Sequence, residues 1–425
     1  MTEHSGVRKH VVFVTWKAGT GPAFEAAKRL GHEVTLIRSL RMEASQHIDF
    51  DTSPYGEFVD TVHVLPDATE FGPLRECVLG LHRRRPVDGF VATVDALVVP
   101  VARVAEELGI PFTSAHGARS AKQKDRCRQI LADAGVDTTR HSVVGGFEEA
   151  AAFAAGTGYP VVLKPARGSA SEGAHVVPDE AALRELFGRV ESGRSPYEAG
   201  VLIEEYLTGT FVSAEIGLSH GRFLRLAVSE RKTWHRHEAL EVGTTIPAAI
   251  DEAAYERVME FAEAVIGAMD LRLGVFHVEI MLGADGRPRL IELNPRLMGS
   301  CLPNLFRLAG GGDLFDLLVR VHLDEEVETG GISFTRYATV RWFGAADAVP
   351  RPAAPPPLDW TAEYGDSLHA LTVKFPDGDV LPPCRGNLGN FGEVQVVHAD
   401  HATSISIAEE IVARAAAELG IEVTK

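Results

Sequence analysis

The sequence predicts a multidomain α/β protein whose central part is α+β, and three observations predict it. The chain has 425 residues, too many for one ordinary core. Short apolar runs alternate with helical patterns up to about residue 117, and strand patterns dominate after it. Apolar residues make up 45% and charged residues 24%, the balance of a packed globular interior.

The elements follow in order. HVVFV (residues 10–14) is a β-branched run, GTGPAFEAAKRLG reads as a helix closed by Gly31, and HEVTLI reads as a second strand. VDGFVATV, VPVARVAEELG and IPFTS continue the alternation that marks parallel βα units. Gly19 and Gly21 supply only a fragment of the dinucleotide-binding GxGxxG pattern and read as a structural turn. From residue 119, SAKQKDRCRQILADAGV reads as one amphipathic helix closed by Gly135. PVVLKPA, GAHVVP, VLIEEYL and VSAEIGL then read as strands. A helix at 251–270 carries Val258, Ala262, Val265, Ile266 and Met269 on one stripe. Beyond about residue 326 a proline-rich stretch lies in a smaller β-rich unit, and SIAEEIVARAAAELG supplies a last helix. The expected division is therefore 1–117, 118–325 with a mobile subdomain at about 140–208, and 326–425.

A formal net charge of −17 argues against a nucleic-acid or anionic-membrane partner, which a basic patch would serve. No apolar run approaches the ~18 residues of a membrane span, and the N-terminus shows no signal-peptide core. Cys77, Cys127, Cys301 and Cys384 are far apart with no CxxC pair. That spacing fits neither a disulfide framework nor a zinc cage, and points to a reducing cytoplasm.

Two stretches carry chemistry. In VVLKPARGSASEGAHVV (161–177) Lys164 ends a strand ahead of the glycines. A P-loop has the reverse order, GxxxxGK[ST], and none occurs. The order suits a closing flap: small residues let backbone amides approach phosphate oxygens, and the lysine adds a point charge. A plain hairpin loop with an exposed lysine is the alternative. In residues 275–296, a two-residue turn at Asp285-Gly286 pairs Glu279 with Glu292 and His277 with Asn294, all on one face. Phe276, Val278, Ile280, Leu282, Ile291 and Leu293 then form the core face. Two carboxylates directly opposite destabilise a sheet unless a cation sits between them. The oxygen-only set of Glu279, Glu292 and Asn294 suits Mg²⁺, or Mn²⁺, held with substrate phosphates. Two solvated glutamates on an exposed face are the alternative.

The flap lysine, VLIEEYL and HVEIML…LIELNPR together resemble the ATP-grasp superfamily of carboxylate–amine ligases over roughly residues 118–310. EVGTTIP, FHVEIML and NPRLMGS are most similar to the L-amino-acid ligases, which join unprotected amino acids. The resemblance implies an ATP-grasp fold with an N-terminal Rossmann-like domain and a C-terminal closing lid. It implies ATP and Mg²⁺ as cofactors, acyl-phosphate chemistry, small-molecule substrates and a possible homodimer. Residue by residue, Lys124 and Lys164 match phosphate-binding lysines, with Gly168 and Ser169 in the flap. Glu204, Glu205 and Leu207 match the hinge that receives adenine. Glu279, Glu292 and Asn294 match the magnesium ligands. Arg296, with Lys164, matches the charge that meets the transferred phosphate. Glu241 and His277 lie where substrate is lined, and Gly299 and Ser300 where its floor is shaped. Small Ser300 hints at room for a bulky or branched substrate.

Two positions depart from the family pattern. Phe211 stands where a glutamate usually contacts ribose, which leaves that task to Glu215 or to looser binding. Thr244 stands where amino-acid ligases often carry histidine. A purine- or carboxylase-type ligase using bicarbonate or a small acid, and a non-catalytic nucleotide-binding regulator, are the rival readings.

Overall fold

The structure, a computed structural model, describes residues 7–15, 18–45, 54–166, 174–192, 200–235, 239–328, 332–352, 358–385 and 389–424. Gly168 and Ser169 lie outside the described residues. None of the described helices is long and apolar enough to cross a membrane, and all four cysteines are free.

The first layer contains β1 (His10–Val14), α1 (Gly21–Arg29), β2 (Glu33–Ser39), α2 (Leu40–Ser45), β3 (Thr61–Leu65), α3 (Phe71–Arg84), β4 (Gly89–Val91), α4 (Asp95–Leu108) and α5 (Ala115–Lys122). Its sheet is parallel throughout, in the order β3-β2-β1-β4. β1 is buried along its whole length because helices cover both faces. Val11 and Phe13 pack on the α1 side, and Val12 and Val14 on the α3 and α4 side.

The single helix expected over 119–135 is two helices, α5 and α6 (Lys124–Asp133), broken at Gln123. Gln123 is extended (φ −102°, ψ 97°), and the Lys124 amide donates to the Ala166 carbonyl at 3.4 Å. The break has a consequence. Residues two apart on a continuous helix do not face one another, yet Lys122 and Lys124 both reach Glu292.

A small antiparallel sheet follows, formed by β5 (His141–Val144), β6 (Val161–Pro165), β7 (His175–Val177) and β8 (Val201–Glu205), with α7 (Phe147–Thr157) and α8 (Glu180–Ser192). The strand order is β5-β8-β6-β7. Val161, Leu163, Val177 and Ile203 pack with Ala150, Ala154 and Leu183 on one face. By alternation Val162 and Lys164 point the other way.

The rest is built on one eight-stranded sheet. It joins β9 (Thr210–Ser219), β10 (Arg222–His235), β11 (Ala239–Ile246), β12 (Gly274–Leu282), β13 (Pro288–Asn294), β14 (Tyr337–Phe343), β16 (Leu368–Val373) and β18 (Gly392–His398). Its order is β13-β12-β9-β10-β11-β14-β18-β16. A two-stranded pair, β15 (Val349–Pro350) with β17 (Val380–Leu381), stands apart. The helices are α9 (Glu252–Ala268), α10 (Leu302–Leu308), α11 (Leu314–His322), α12 (Thr361–Tyr364) and α13 (His401–Leu419). α9 buries the stripe read from sequence against β9, β12 and β13, and Asp251 caps it by accepting from the Ala254 amide at 2.7 Å. The β11–β14 pairing carries the sheet across residue 326, so the C-terminal strands extend the central sheet.

The hairpin pairs Glu279 with Glu292 and His277 with Asn294, as the sequence reading expects, but by another route. The loop is Ala284-Asp285-Gly286, closed by the Gly283 amide donating to the Arg287 carbonyl at 3.0 Å. Gly286 takes φ +74°, the left-handed residue of a three-residue hairpin loop. That shifts the pairing by one near the turn, to Ile280 with Leu290. A bulge at Ile291 restores the register before Glu292. Leu290, not Ile291, therefore packs into the core (2% exposed), and Ile291 faces the ligand cavity.

Candidate active site

Between the small sheet, the large sheet and the first layer lies a cavity of about 1500 Å³. Lys164, Glu204, Glu205 and Leu207 line it from the small sheet and the crossing to β9. His277, Glu279, Glu292, Asn294, Arg296, Gly299, Ser300 and Glu241 line it from the large one. Lys124 sits just outside the lining set, its Nζ 3.3 Å from Glu292.

At the small-sheet end, Glu204 is locked. Arg128 Nε donates to its Oε1 at 2.6 Å and Lys164 Nζ meets its Oε2 at 2.5 Å. Burial alone would raise this carboxyl, but Arg128 and Lys164 outweigh burial and hold it at about 2. Arg128 also reaches Asp137 at 3.2 Å, and Asp137 accepts from the Leu290 amide at 2.7 Å. The hinge strand, α6 and the hairpin are thereby tied together. Lys164 is pushed down by burial, which the Glu204 charge partly offsets.

On the large sheet, Arg231 is the hub. It pairs with Glu241, lies 3.6 Å from Glu279 Oε1 and 3.5 Å from His277 Nε2, and keeps its Nε without a partner. Glu241 also accepts from Thr244 Oγ1 at 2.8 Å, so Thr244 orients Glu241. His277 bonds Glu215 through Nδ1 and Glu279 through Nε2, the latter at 3.2 Å. Burial lowers the His277 imidazole, yet the Glu215 charge and both hydrogen bonds outweigh it and raise it to about 9. Burial likewise opposes ionisation of Glu279, but His277 and Arg231 hold it down at about 2. Glu215 is fully buried beneath His277, which removes it as a substitute for the ribose-contacting glutamate. Phe211 does line the cavity.

The first layer contributes Asp95. It accepts from Arg296 Nη2 and Nε at 2.6 and 2.8 Å and from Lys122 at 2.9 Å. Burial works against its ionisation, but Arg296 and Lys122 hold it well below the usual carboxylate range. Lys122 also donates to Asn294 Oδ1 at 3.4 Å. The opposed glutamates thus each lean toward cations of the chain itself: Glu279 toward Arg231 and His277, Glu292 toward Lys122 and Lys124. The expectation that the pair survives only with a metal between its members is corrected by these side chains.

Residues 157–304 match the ATP-grasp domain and residues 24–112 the ATP-grasp N-terminal domain, together more than half of the chain. The chain belongs to the ATP-grasp superfamily. It is 25% identical over 255 residues to the alanine–anticapsin ligase of Bacillus subtilis, covering 55% of this chain and 53% of that one. It is 28% identical over 231 residues to a D-alanine–D-alanine ligase of Stutzerimonas stutzeri, covering 52% and 71%. The chain spans about half the length of the first curated relatives it matches. Among solved structures, an L-amino acid ligase from Bacillus licheniformis superposes with a TM-score of 0.79 at 19% identity, over 96% of this chain and 98% of that one. That likeness shows the ATP-grasp fold.

The donor set fits the divalent metal that this superfamily implies. Glu279, Glu292 and Asn294 present oxygen donors on one face of the hairpin, a hard-cation set. His277 has both ring nitrogens committed to glutamates and stands outside it. Among the described residues no three His, Cys, Asp or Glu side chains form a ready cage.

Four residues of this charge network escaped the sequence reading: Arg128, Lys122, Arg231 and Asp95. Arg128 left a signal, since it follows Lys124 by four residues and shares its helix face. Arg231 and Asp95 left none, because their partners lie 10 to 201 residues away.

Proposed function

We propose that this ATP-grasp chain is an ATP-dependent ligase that activates the carboxylate of a free amino acid, or a similar acid, and joins it to an amine carried by a second amino acid. The observation that carries the reading is one continuous cavity. In it Lys164, the oxygen donors of Glu279, Glu292 and Asn294, and Arg296 share one lining with Glu241 and Ser300.

A carboxylate offers an amine no leaving group. In the proposed reaction a carboxylate oxygen attacks the γ-phosphorus of ATP, the bridging P–O bond breaks, and ADP departs. The amine nitrogen then attacks the acyl carbon, the C–O bond to phosphate breaks, and phosphate leaves with the proton that nitrogen loses. Positioning and charge neutralisation supply most of the acceleration in such transfers. Lys124 and Lys164 would offset phosphate charge, and Arg296, aimed by Asp95, would meet the transferred group. Glu279, Glu292 and Asn294 would hold Mg²⁺ or Mn²⁺, which neutralises phosphoryl oxygens when bound. Val162, Leu207, Met281 and Ile291 give the small-sheet end apolar walls suited to adenine beside the backbone of Glu204–Leu207. Closure of the 168–173 segment, outside the described residues, would keep water from the acyl phosphate.

The test is direct. ADP and phosphate release requires both an acid and an amine, and mass spectrometry finds their amide. AMP with pyrophosphate, or labelled bicarbonate entering the product, overturns the reading.

A further inference from the structure

The chamber beyond Arg296 ends on the C-terminal strands, and one carboxylate there differs from those of the catalytic half. Glu204, Glu241, Glu279 and Glu292 each sit against a cation. Glu393, on β18, is held by neutral donors alone. Its Oε2 accepts from the indole Nε1 of Trp342 at 2.8 Å and its Oε1 from Gln395 Nε2 at 2.6 Å. Among the described residues no Lys, Arg or His side chain pairs with it. Trp342 and Thr372 flank it directly on the neighbouring strands, and all three line the cavity.

The place matters as much as the charge. The Cys301 thiol is pushed up by burial and then by the Glu393 charge beside it, which sets Glu393 against the Gly299–Ser300 floor. A carboxylate held by neutral donors has no countercharge of the chain paired with it among the described residues. The Trp342 ring also lines the cavity, and an aromatic face attracts organic cations. Glu241, the residue expected to serve substrate, is already engaged by Arg231 and Thr244. Lys374 lines the same end of the cavity but is exposed.

We propose that Glu393 and Trp342 form a subsite for an ammonium or guanidinium group of the amino-acid substrate, making the enzyme selective for substrates that carry that charge there. This rests on the ligase reading above. Two sources share the chemistry, the α-ammonium and a side-chain cation, and a set of four ligands separates them. Titration calorimetry of the full chain with hexanoate, 6-aminohexanoate, L-norleucine and L-lysine reads each charge by itself.

The recognised ammonium strengthens binding by about 10-fold or more over hexanoate, the scale of a hydrogen bond to a charged group. Glu393→Gln collapses that ratio, and Glu393→Asp restores it in part. A gain with 6-aminohexanoate assigns the side chain, and a gain with norleucine the α-ammonium. Trp342→Phe, which removes the indole donor and shrinks the ring face, weakens the same ligands relative to hexanoate, and thermal melts confirm that each variant folds. Equal affinity ratios in wild type and Glu393→Gln overturn the subsite, and amide formation with unchanged selectivity would then leave the ligase reading standing. Glu393-dependent binding without ADP release for any acid–amine pair would sink the ligase reading and spare the subsite.

Discussion

Glu204 on the small sheet and the Glu279–Glu292 pair on the large one are both carboxylates beside the same cavity, stabilised in different ways. Around Glu204 the charges close on themselves. Glu204 and Asp137 face Arg128 and Lys164, two against two, in a lock that presets the flap lysine. Around the hairpin they are polarised. Among the described residues, Glu215, Glu241 and Glu279 pair with Arg231 and His277, while Glu292 and Asp95 pair with Lys122, Lys124 and Arg296. A balanced cluster has nothing to gain from an ion. One acidic on one side and basic on the other, a few ångströms apart, suits a dication arriving with a polyanion.

The comparison is most easily broken at the lock. Arg128→Leu leaves Glu204 and Asp137 buried against Lys164 alone, and chemical denaturation is expected to show a loss of about 3–5 kcal/mol. A loss under 1 kcal/mol would mean that the lock is not closed. On the polarised side, Arg296→Ala is expected to lower kcat for ADP release by about 10²–10³-fold, with thermal melts showing a folded protein in which Asp95 keeps Lys122. If kcat holds, the arginine does not meet the transferred group.

The bulge supplies a third test. Leu290→Ala empties a core position and is expected to cost about 2–5 kcal/mol. Ile291→Ala costs less but raises KM for ATP. The reverse order would restore the two-residue turn.

The smallest effect is a pH slope. The Glu204 pKa is lower folded, about 2, than its ordinary 4.5. Its contribution is therefore complete above pH 5 and lost as pH falls toward 2. Over that range Glu204→Gln should show a stability curve flatter by about 3 kcal/mol. Parallel curves for the two proteins would show that Glu204 does not titrate as a locked carboxylate.

Much of the fold was legible because its signals are local. The runs HVVFV and VVLKP and the α9 stripe each lie within a single element. The opposed glutamates were legible for the same reason, since a hairpin's partners are near in sequence. Their register came out right only because the longer loop and the Ile291 bulge shift it in opposite senses. Other features failed where a long-range contact overrides a local pattern. The helix over 119–135 breaks at Gln123, where the Lys124 amide meets the flap strand at Ala166. Glu215 is a candidate for the ribose contact that Phe211 leaves open, yet alternation on a central strand buries it under His277.

By itself the sequence determined the alternation of layers, the core faces and the residue types of the site, because periodicity and turn chemistry act over a few residues. The tertiary structure alone decided which charges answer which. Arg231 meets Glu279, Asp95 aims Arg296, two lysines share Glu292, and Glu393 stands among neutral donors. Electrostatic balance at a buried site is a sum over groups brought within a few ångströms by packing, and no short stretch of chain contains that sum.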